Sequence, residues 1–260
     1  MEKIHTFVVL AYKESNYLEE CIKSVLNQKY KSKVIIATST DNEYIRKIAE
    51  KYNLQVKVNS GRKGIGRDFD FAIECAETDL VTIAHQDDIY DFTYSDEIVK
   101  KFNKYKDIQI IFTDYYEMKK EGKVKSNLNL FIKRVLLLPI RIIKKSKFIK
   151  RLILRFGCSI CCPAVTFNTK KVKTPLFECV FKCNVDWNAW ETLSKEEGRF
   201  IFVPKKIMGH RVHEESTTTE IIKDNIRTKE DLIMLERFWP EKLAKFINRI
   251  YVNSEKSNEK

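Results

Sequence analysis

Between Gly122 and Phe177 the chain contains no aspartate or glutamate. Fourteen lysines and arginines fall in that stretch, so although the whole sequence has a formal net charge of +12, the remainder is close to neutral. This excludes a protein that is basic all over its surface and points to one local anionic partner surface. The opening MEKIHTFVVL lacks the basic region and long apolar core of a secretory leader. The seven cysteines are therefore read as buried or free thiols in a reducing compartment, not as a disulfide framework. Five of them, Cys158, Cys161, Cys162, Cys179 and Cys183, lie close in sequence and raise zinc as an alternative. Their spacing fits no standard finger, and small core residues are the plainer account. No apolar run approaches the roughly 20 residues of a membrane-spanning helix. Disorder is excluded too, because the hydrophobic fraction is 43% with 16 Phe and 11 Tyr.

The 260 residues suffice for one large domain or two small ones. In the first half, strand and helix signals alternate. Continuous apolar runs at 6–11, 34–38 and 80–84 read as buried strands, and 54–58 alternates as a further strand. Leu18, Ile22, Val25 and Leu26 fall on one helical face, as do Ile45, Ile48, Ala49 and Tyr52. Asn16 with Glu19, and Thr40 with Glu43, have capping-box spacing. Gly61, Gly64 and Gly66 form a loop opening into a helix that carries Phe69, Ala72, Ile73 and Ala76. A helix near 95–105 and a strand near 108–113 close this half. Such alternation predicts an α/β fold with a mostly parallel sheet sandwiched by helices. Ligands of such sheets bind beyond the carboxyl ends of the strands, where the loops after Ala11, Thr38 and Ala84 gather.

The strongest chemical constellation is His85-Gln86-Asp87-Asp88, placed directly after a buried strand. Adjacent carboxylates there repel unless a cation or donor groups compensate them. A divalent ion shared with substrate phosphates does so, and a tight turn with a capping Asp is the alternative. Residues 127–156 interleave basic residues with Leu, Ile, Val and Phe, and Pro139 divides the stretch in two. A solvated helix face accounts for the charges but not the apolar residues, and an RNA-binding arm would want more stacking groups. An amphipathic helix pair lying on an anionic membrane surface accounts for both, so no nucleic acid is expected.

The order FVVLAYKESNYLEECIKSVLNQ (7–28), VIIATSTD (34–41) and GIGRDFDFAIECAETDLVTIAHQDD (64–88) resembles the inverting glycosyltransferase family 2, with its Rossmann-like GT-A fold. The resemblance covers about the first 115 residues and recurs at 186–213. It implies a donor-binding half (1–115), an acceptor-binding half (116–220) that includes the basic segment 127–156, and C-terminal helices with a disordered tail (221–260). It implies donor contacts from Ala11, Tyr12, Glu14, Thr38, Arg67, His85, Gln86, Asp87, Asp88 and Arg211. Mg2+ or Mn2+ would be held by Asp87 with His213, and Asp186 would be the catalytic base. Trp187 and Trp190 would line the acceptor's sugar ring, although Asp186 capping a helix whose Trp residues are core is the competing account. Two positions depart from the family pattern: Ala37-Thr38 stands where Asp-Asp is usual, and His85 replaces the first Asp of the metal motif.

The implied activity is metal-dependent transfer of a sugar from a nucleotide-diphosphate donor to a lipid-linked or glycan acceptor. This places the chain in assembly of bacterial cell-surface polysaccharide, on the cytoplasmic face of the membrane. The alternatives are a sugar nucleotidyltransferase and a non-catalytic membrane- or nucleic-acid-binding module on the same fold.

Overall fold

The computed structural model describes residues 3–61, 64–213 and 226–258. Its first half runs β1 (His5–Ala11), α1 (Leu18–Leu26), β2 (Lys33–Thr38), α2 (Glu43–Lys51), β3 (Gln55–Val58), α3 (Ile65–Glu74), β4 (Leu80–His85), β5 (Ile89–Tyr90), α4 (Tyr94–Lys104) and β6 (Ile108–Lys119). There follow β7 (Gly122–Val124), three short helices α5 (Leu128–Leu136), α6 (Leu138–Ile142) and α7 (Lys147–Leu152), and β8 (Val165–Asn168). The chain then forms α8 (Val185–Lys195), β9 (Arg199–Arg211), α9 (Ile226–Glu236) and α10 (Glu241–Asn258).

The strands make one sheet ordered β3-β2-β1-β4-β8-β6-β9-β5, with β7 paired to β6. The long ladders, β2 and β4 against β1 and β9 against β6, are parallel, whereas β8 and the short β5 and β7 pair antiparallel. Successive side chains of a strand face opposite ways, so β1 feeds two cores: Val8 packs with α3 and α8, and Phe7 and Val9 pack with α1, α2 and α4. Burial on both faces is what the unbroken apolar runs require. Because β1, β2 and β4 are parallel and in register, their carboxyl ends, at Ala11, Thr38 and His85, emerge side by side.

Several local expectations give way to tertiary contacts. Tyr17, not Asn16, holds the N-cap of α1 and makes no side-chain cap bond. Asn42 caps α2 by accepting from Ile45 N at 2.9 Å, because Thr40 is already used: its hydroxyl accepts from Lys13 N at 2.6 Å. Thr217 and Glu220 also have capping-box spacing but lie outside the described residues. On α9 the buried face carries Glu230, Asp231, Met234 and Leu235, while Ile233 faces outward. Helical backbone continues through Asn258, into the polar stretch expected to be a tail.

Asp70 on α3 is fully buried and accepts hydrogen bonds from the backbone of Leu176 (2.7 Å), Phe177 (3.0 Å) and Glu178 (2.8 Å). Gly66, one turn earlier, permits this contact: a Cβ there would stand 2.3 Å from the Phe177 carbonyl oxygen. The anchor draws the segment before α8 against the first half of the chain. Replacing Asp70 with Ala leaves three amide donors without their acceptor, and unpaired buried groups cost about 1–3 kcal/mol each. Asp70→Ala should therefore lower the unfolding free energy by at least about 3 kcal/mol in urea denaturation, and an unchanged midpoint would refute this anchoring role.

Candidate active site

The loops at the strand ends are stitched together by backbone-directed bonds. Gln86 pairs reciprocally with Tyr12, its Oε1 accepting from Tyr12 N at 2.9 Å and its Nε2 donating to Tyr12 O at 3.1 Å. Thr38, buried at the end of β2, accepts from Thr40 N at 3.0 Å. Ser39 and Asn59 both donate to Asp68 of α3, at 2.9 and 2.8 Å. Ala11 is buried, while Tyr12 and Glu14 are exposed at the rim. These expected donor residues thus form one continuous edge with the His85–Asp88 turn.

That turn is clamped from the far side of the sheet by the end of β9. Asp88 is fully buried, and its Oδ1 accepts from Arg211 N at 2.9 Å and lies 3.1 Å from His210 Nδ1. Asp87 Oδ2 is 2.9 Å from His213 Nε2. The Arg211 guanidinium donates to the Asp87 carbonyl at 2.9 Å and to Glu20 at 2.6 Å, and stacks over Tyr17. Arg211, expected as a donor contact, thus fastens the turn. Arg67 likewise meets Glu74 at 3.5 Å and does not line the cavity described below.

His85, Asp87 and Asp88 each offer a donor atom such that all three lie within 4.8 Å of one another. His85 Nε2 and Asp88 Oδ2 are buried with no hydrogen-bond partner among the described residues. Orphaned buried acceptors at a carboxylate pair are what a cation site leaves when its ion is not counted. The residues present thus fit a divalent cation, with His85 and Asp88 joining the expected Asp87 and with His213 in contact with Asp87. Burial holds His85 below the ordinary imidazole pKa. Burial also opposes the protonation of His210, but the charge and hydrogen bond of Asp88 outweigh it and leave His210 above the ordinary value.

Beside this turn opens a cavity of about 220 Å³, with His85, His210 and Asp186 among the residues lining it. Asp186 stands in the first turn of α8, its Oδ1 accepting from Trp187 N at 2.7 Å and its Oδ2 3.3 Å from Cys158 Sγ. Glu230 of α9 holds the approach to α8 by accepting from the backbone of Lys182, Cys183 and Asn184 at 2.7, 2.8 and 3.0 Å. Desolvation raises the Asp186 pKa above the usual carboxylate value, against the opposing hydrogen bonds from Trp187 and Cys158. Trp187 and Trp190 are only 2% and 0% exposed. Trp187 donates its indole N–H to Leu154 O at 3.0 Å, and Trp190 stacks on Phe167. They are core, and the expectation that they line an acceptor sugar is withdrawn: on a helix packed against the sheet, large apolar faces go inward.

Glu230, Tyr115 and Lys133 escape the sequence reading as site residues, and Cys158 enters it only through the cysteine cluster. Tyr115 and Lys133 line the cavity from β6 and α5, and no local motif marks Glu230, Tyr115 or Lys133.

The sequence matches glycosyl transferase family 2 over residues 6–172. The chain belongs to that family. Solved structures share its fold at low identity. The mannosyltransferase PcManGT from Pyrobaculum calidifontis, in complex with GDP-Man and Mn2+, has a TM-score of 0.62 and 14% identity over 94% of this chain and 69% of its own. S. aureus TarS 1-349 in complex with UDP-GlcNAc gives 0.60 and 14% over 97% of this chain and 72% of its own. Against a longer S. aureus TarS structure the TM-score is again 0.60 at 14% identity, with 97% of this chain covered; the family 2 chain spans 43% of that protein. No curated protein matches the sequence. The doubly covered α/β sheet expected from the sequence is thus the GT-A fold of this family.

A buried carboxylate whose folded pKa is raised stabilises the protein only while protonated. That contribution is full below the unfolded value of about 3.9 and is lost as pH rises through the folded value. Asp186→Asn should therefore match wild type in thermal stability near pH 4 and equal or exceed it at pH 7. A melting temperature that falls at both pH values would show that Asp186 is a purely structural cap.

Proposed function

We propose that this family 2 protein is an inverting, divalent-metal-dependent glycosyltransferase that uses a nucleoside diphosphate sugar and works at a membrane surface. The observation that carries the reading is that Asp186 and His85, distant in sequence, line one cavity, and that a donor atom of His85 lies within 4.8 Å of donor atoms of Asp87 and Asp88. Two neighbours of the same fold have nucleotide sugars bound, UDP-GlcNAc in one and GDP-Man with Mn2+ in the other.

In this reading the donor lies along the loop edge formed by Tyr12, Thr38 and Gln86, with its diphosphate at the Asp87–Asp88 turn. An acceptor hydroxyl enters the cavity and attacks the anomeric carbon. Its proton passes to the Asp186 carboxylate as the new carbon–oxygen bond forms. The bond from the anomeric carbon to the diphosphate oxygen breaks on the opposite face, so a single displacement inverts the centre and the nucleoside diphosphate leaves. A raised pKa suits Asp186 to this task, since the carboxylate gives up desolvated charge on taking the proton. A divalent cation held by His85, Asp87 and Asp88 would neutralise charge on the leaving diphosphate.

The membrane part of the proposal rests on α5 to α7. No described helix is long and apolar enough to cross a membrane. Yet Leu128, Ile142 and Phe148 are 73%, 82% and 68% exposed, and Phe131, Ile132, Val135, Leu138 and Ile143 are also solvent-facing. Arg141, Lys145 and Lys147 are exposed among them. An exposed set of apolar side chains with interspersed cations, on a segment that itself carries no acid although Lys147 meets Glu197 at 3.0 Å, suits an anionic bilayer interface. The acceptor is then a lipid-linked or growing surface glycan presented there.

Asp87→Asn and Asp186→Asn should each reduce sugar transfer by at least roughly a thousandfold, as expected for an essential metal ligand or general base; wild-type turnover in either variant removes that residue from the mechanism. Release of pyrophosphate in place of a nucleoside diphosphate would instead mark a nucleotidyltransferase. Joint replacement of Phe131, Ile142 and Phe148 by Ser should weaken co-sedimentation with anionic vesicles by roughly a thousandfold or more, given about 1.5 kcal/mol or more per buried large apolar side chain. Unchanged co-sedimentation would refute the membrane assignment without touching the chemistry.

A further inference from the structure

The basic residues of α5 to α7 are not equivalent. Arg134 pairs with Asp114 at 2.8 Å, and Arg151 pairs with Glu191. Lys150 is fully buried, which draws its pKa down to about 8, and its ammonium donates to Gln109 Oε1 and to the Leu193, Glu196 and Gly198 carbonyls. Each of these cations is matched by carboxylates or carbonyls. Lys133 is different. It lies on α5 between the exposed Ile132 and the inward-tied Arg134, and its side chain lines the active-site cavity. Its Nζ donates to the Tyr115 hydroxyl at 3.0 Å. No carboxylate among the described residues forms an ion pair with it, although it stands in a partly enclosed site.

An ammonium group half-buried in a cavity with only a phenol as partner is costly unless an anion joins it, and among the described residues no acceptor takes its other two donor hydrogens. Lys182 and Arg227 line the same cavity. In the nucleotide-sugar reading proposed above, the substrate anions are phosphates. We propose that Lys133 is an anion-binding residue of the active site that grips a substrate phosphate, so that the membrane-facing insertion also completes the catalytic cavity. The phosphate has two candidate sources, the donor's diphosphate or a phosphate on the acceptor. The choice between them rests on the nucleotide-sugar reading above; the anion site itself does not.

The test uses the full chain and Lys133→Gln, with Lys133→Arg as the charge-retaining control. UDP, GDP, the corresponding nucleosides and inorganic phosphate are titrated calorimetrically. If Lys133 holds the donor diphosphate, Lys133→Gln weakens binding of the preferred nucleoside diphosphate by roughly tenfold or more while nucleoside binding is unchanged, the size expected for losing one charge-assisted hydrogen bond. If it holds an acceptor phosphate, nucleotide affinity is unchanged, and inorganic phosphate binding to the nucleotide-saturated protein is lost in Lys133→Gln and kept in Lys133→Arg. Equal affinities of wild type and Lys133→Gln for every probe overturn the proposal. Amine-reactive labelling of Lys133 in the wild-type protein supplies a readout free of folding effects: the proposal requires protection by a nucleoside diphosphate or by phosphate. Failure of the wild type to bind either diphosphate would defeat the nucleotide-sugar reading alone, and phosphate protection of Lys133 would still stand.

Discussion

Asp88 sits fully buried where β4 gives way to β5, with one carboxylate oxygen taken by the end of β9 and the other left without a partner among the described residues. A charge in that position is tolerable only if its surroundings are arranged around it. The backbone N–H of Arg211 and the ring of His210 supply part of the compensation. To deliver them, β9 must run parallel to β6 and beyond it, and the β6–β9 ladder is shifted in register between Thr113 and Tyr116 on the way. The same approach brings His213 to Asp87 and Arg211 to the Asp87 carbonyl. One uncompensated oxygen thus organises the meeting of the two halves of the chain, and it keeps free the valence that a cation would use.

The parts of this arrangement that were legible in the sequence are those fixed by short-range pattern. Continuous apolar runs marked β1, β2 and β4 because burial on both faces leaves no room for polar alternation. Parallel pairing of such strands places their carboxyl ends together, so the row of loops at Ala11, Thr38 and His85 followed from order alone. Asp186 was legible as a carboxylate opening a helix. What was not legible is whatever depends on partners distant in sequence. Thr40 has capping spacing, yet Lys13 N takes its hydroxyl and the cap passes to Asn42. Trp187 and Trp190 have the composition of a sugar platform, but α8 turns them to the core and presents Val185 and Asp186 to the cavity. Glu230 and Asp70 each gather three backbone N–H groups of a segment far from them in sequence, and nothing local to either residue announces it.

The basic segment shows the same division within a few residues. Its composition, cations among aliphatics with no acid, reads as a uniform surface-binding face. In the fold it is sorted by helical position. Phe131, Ile132 and Val135 of α5 face solvent, Leu130 of the same helix is buried in the core, and Lys133 and Arg134 turn to Tyr115 and Asp114. A single nine-residue helix cannot keep these two faces independent: whatever orders the outer face fixes the rotation of α5 about its axis, and that rotation decides whether Lys133 reaches the cavity. The charge asymmetry first visible as an absence of acidic residues therefore has a consequence inside the candidate site. The absence leaves Lys133 without a carboxylate on its own segment to pair with, which is the arrangement that the proposed anion contact requires.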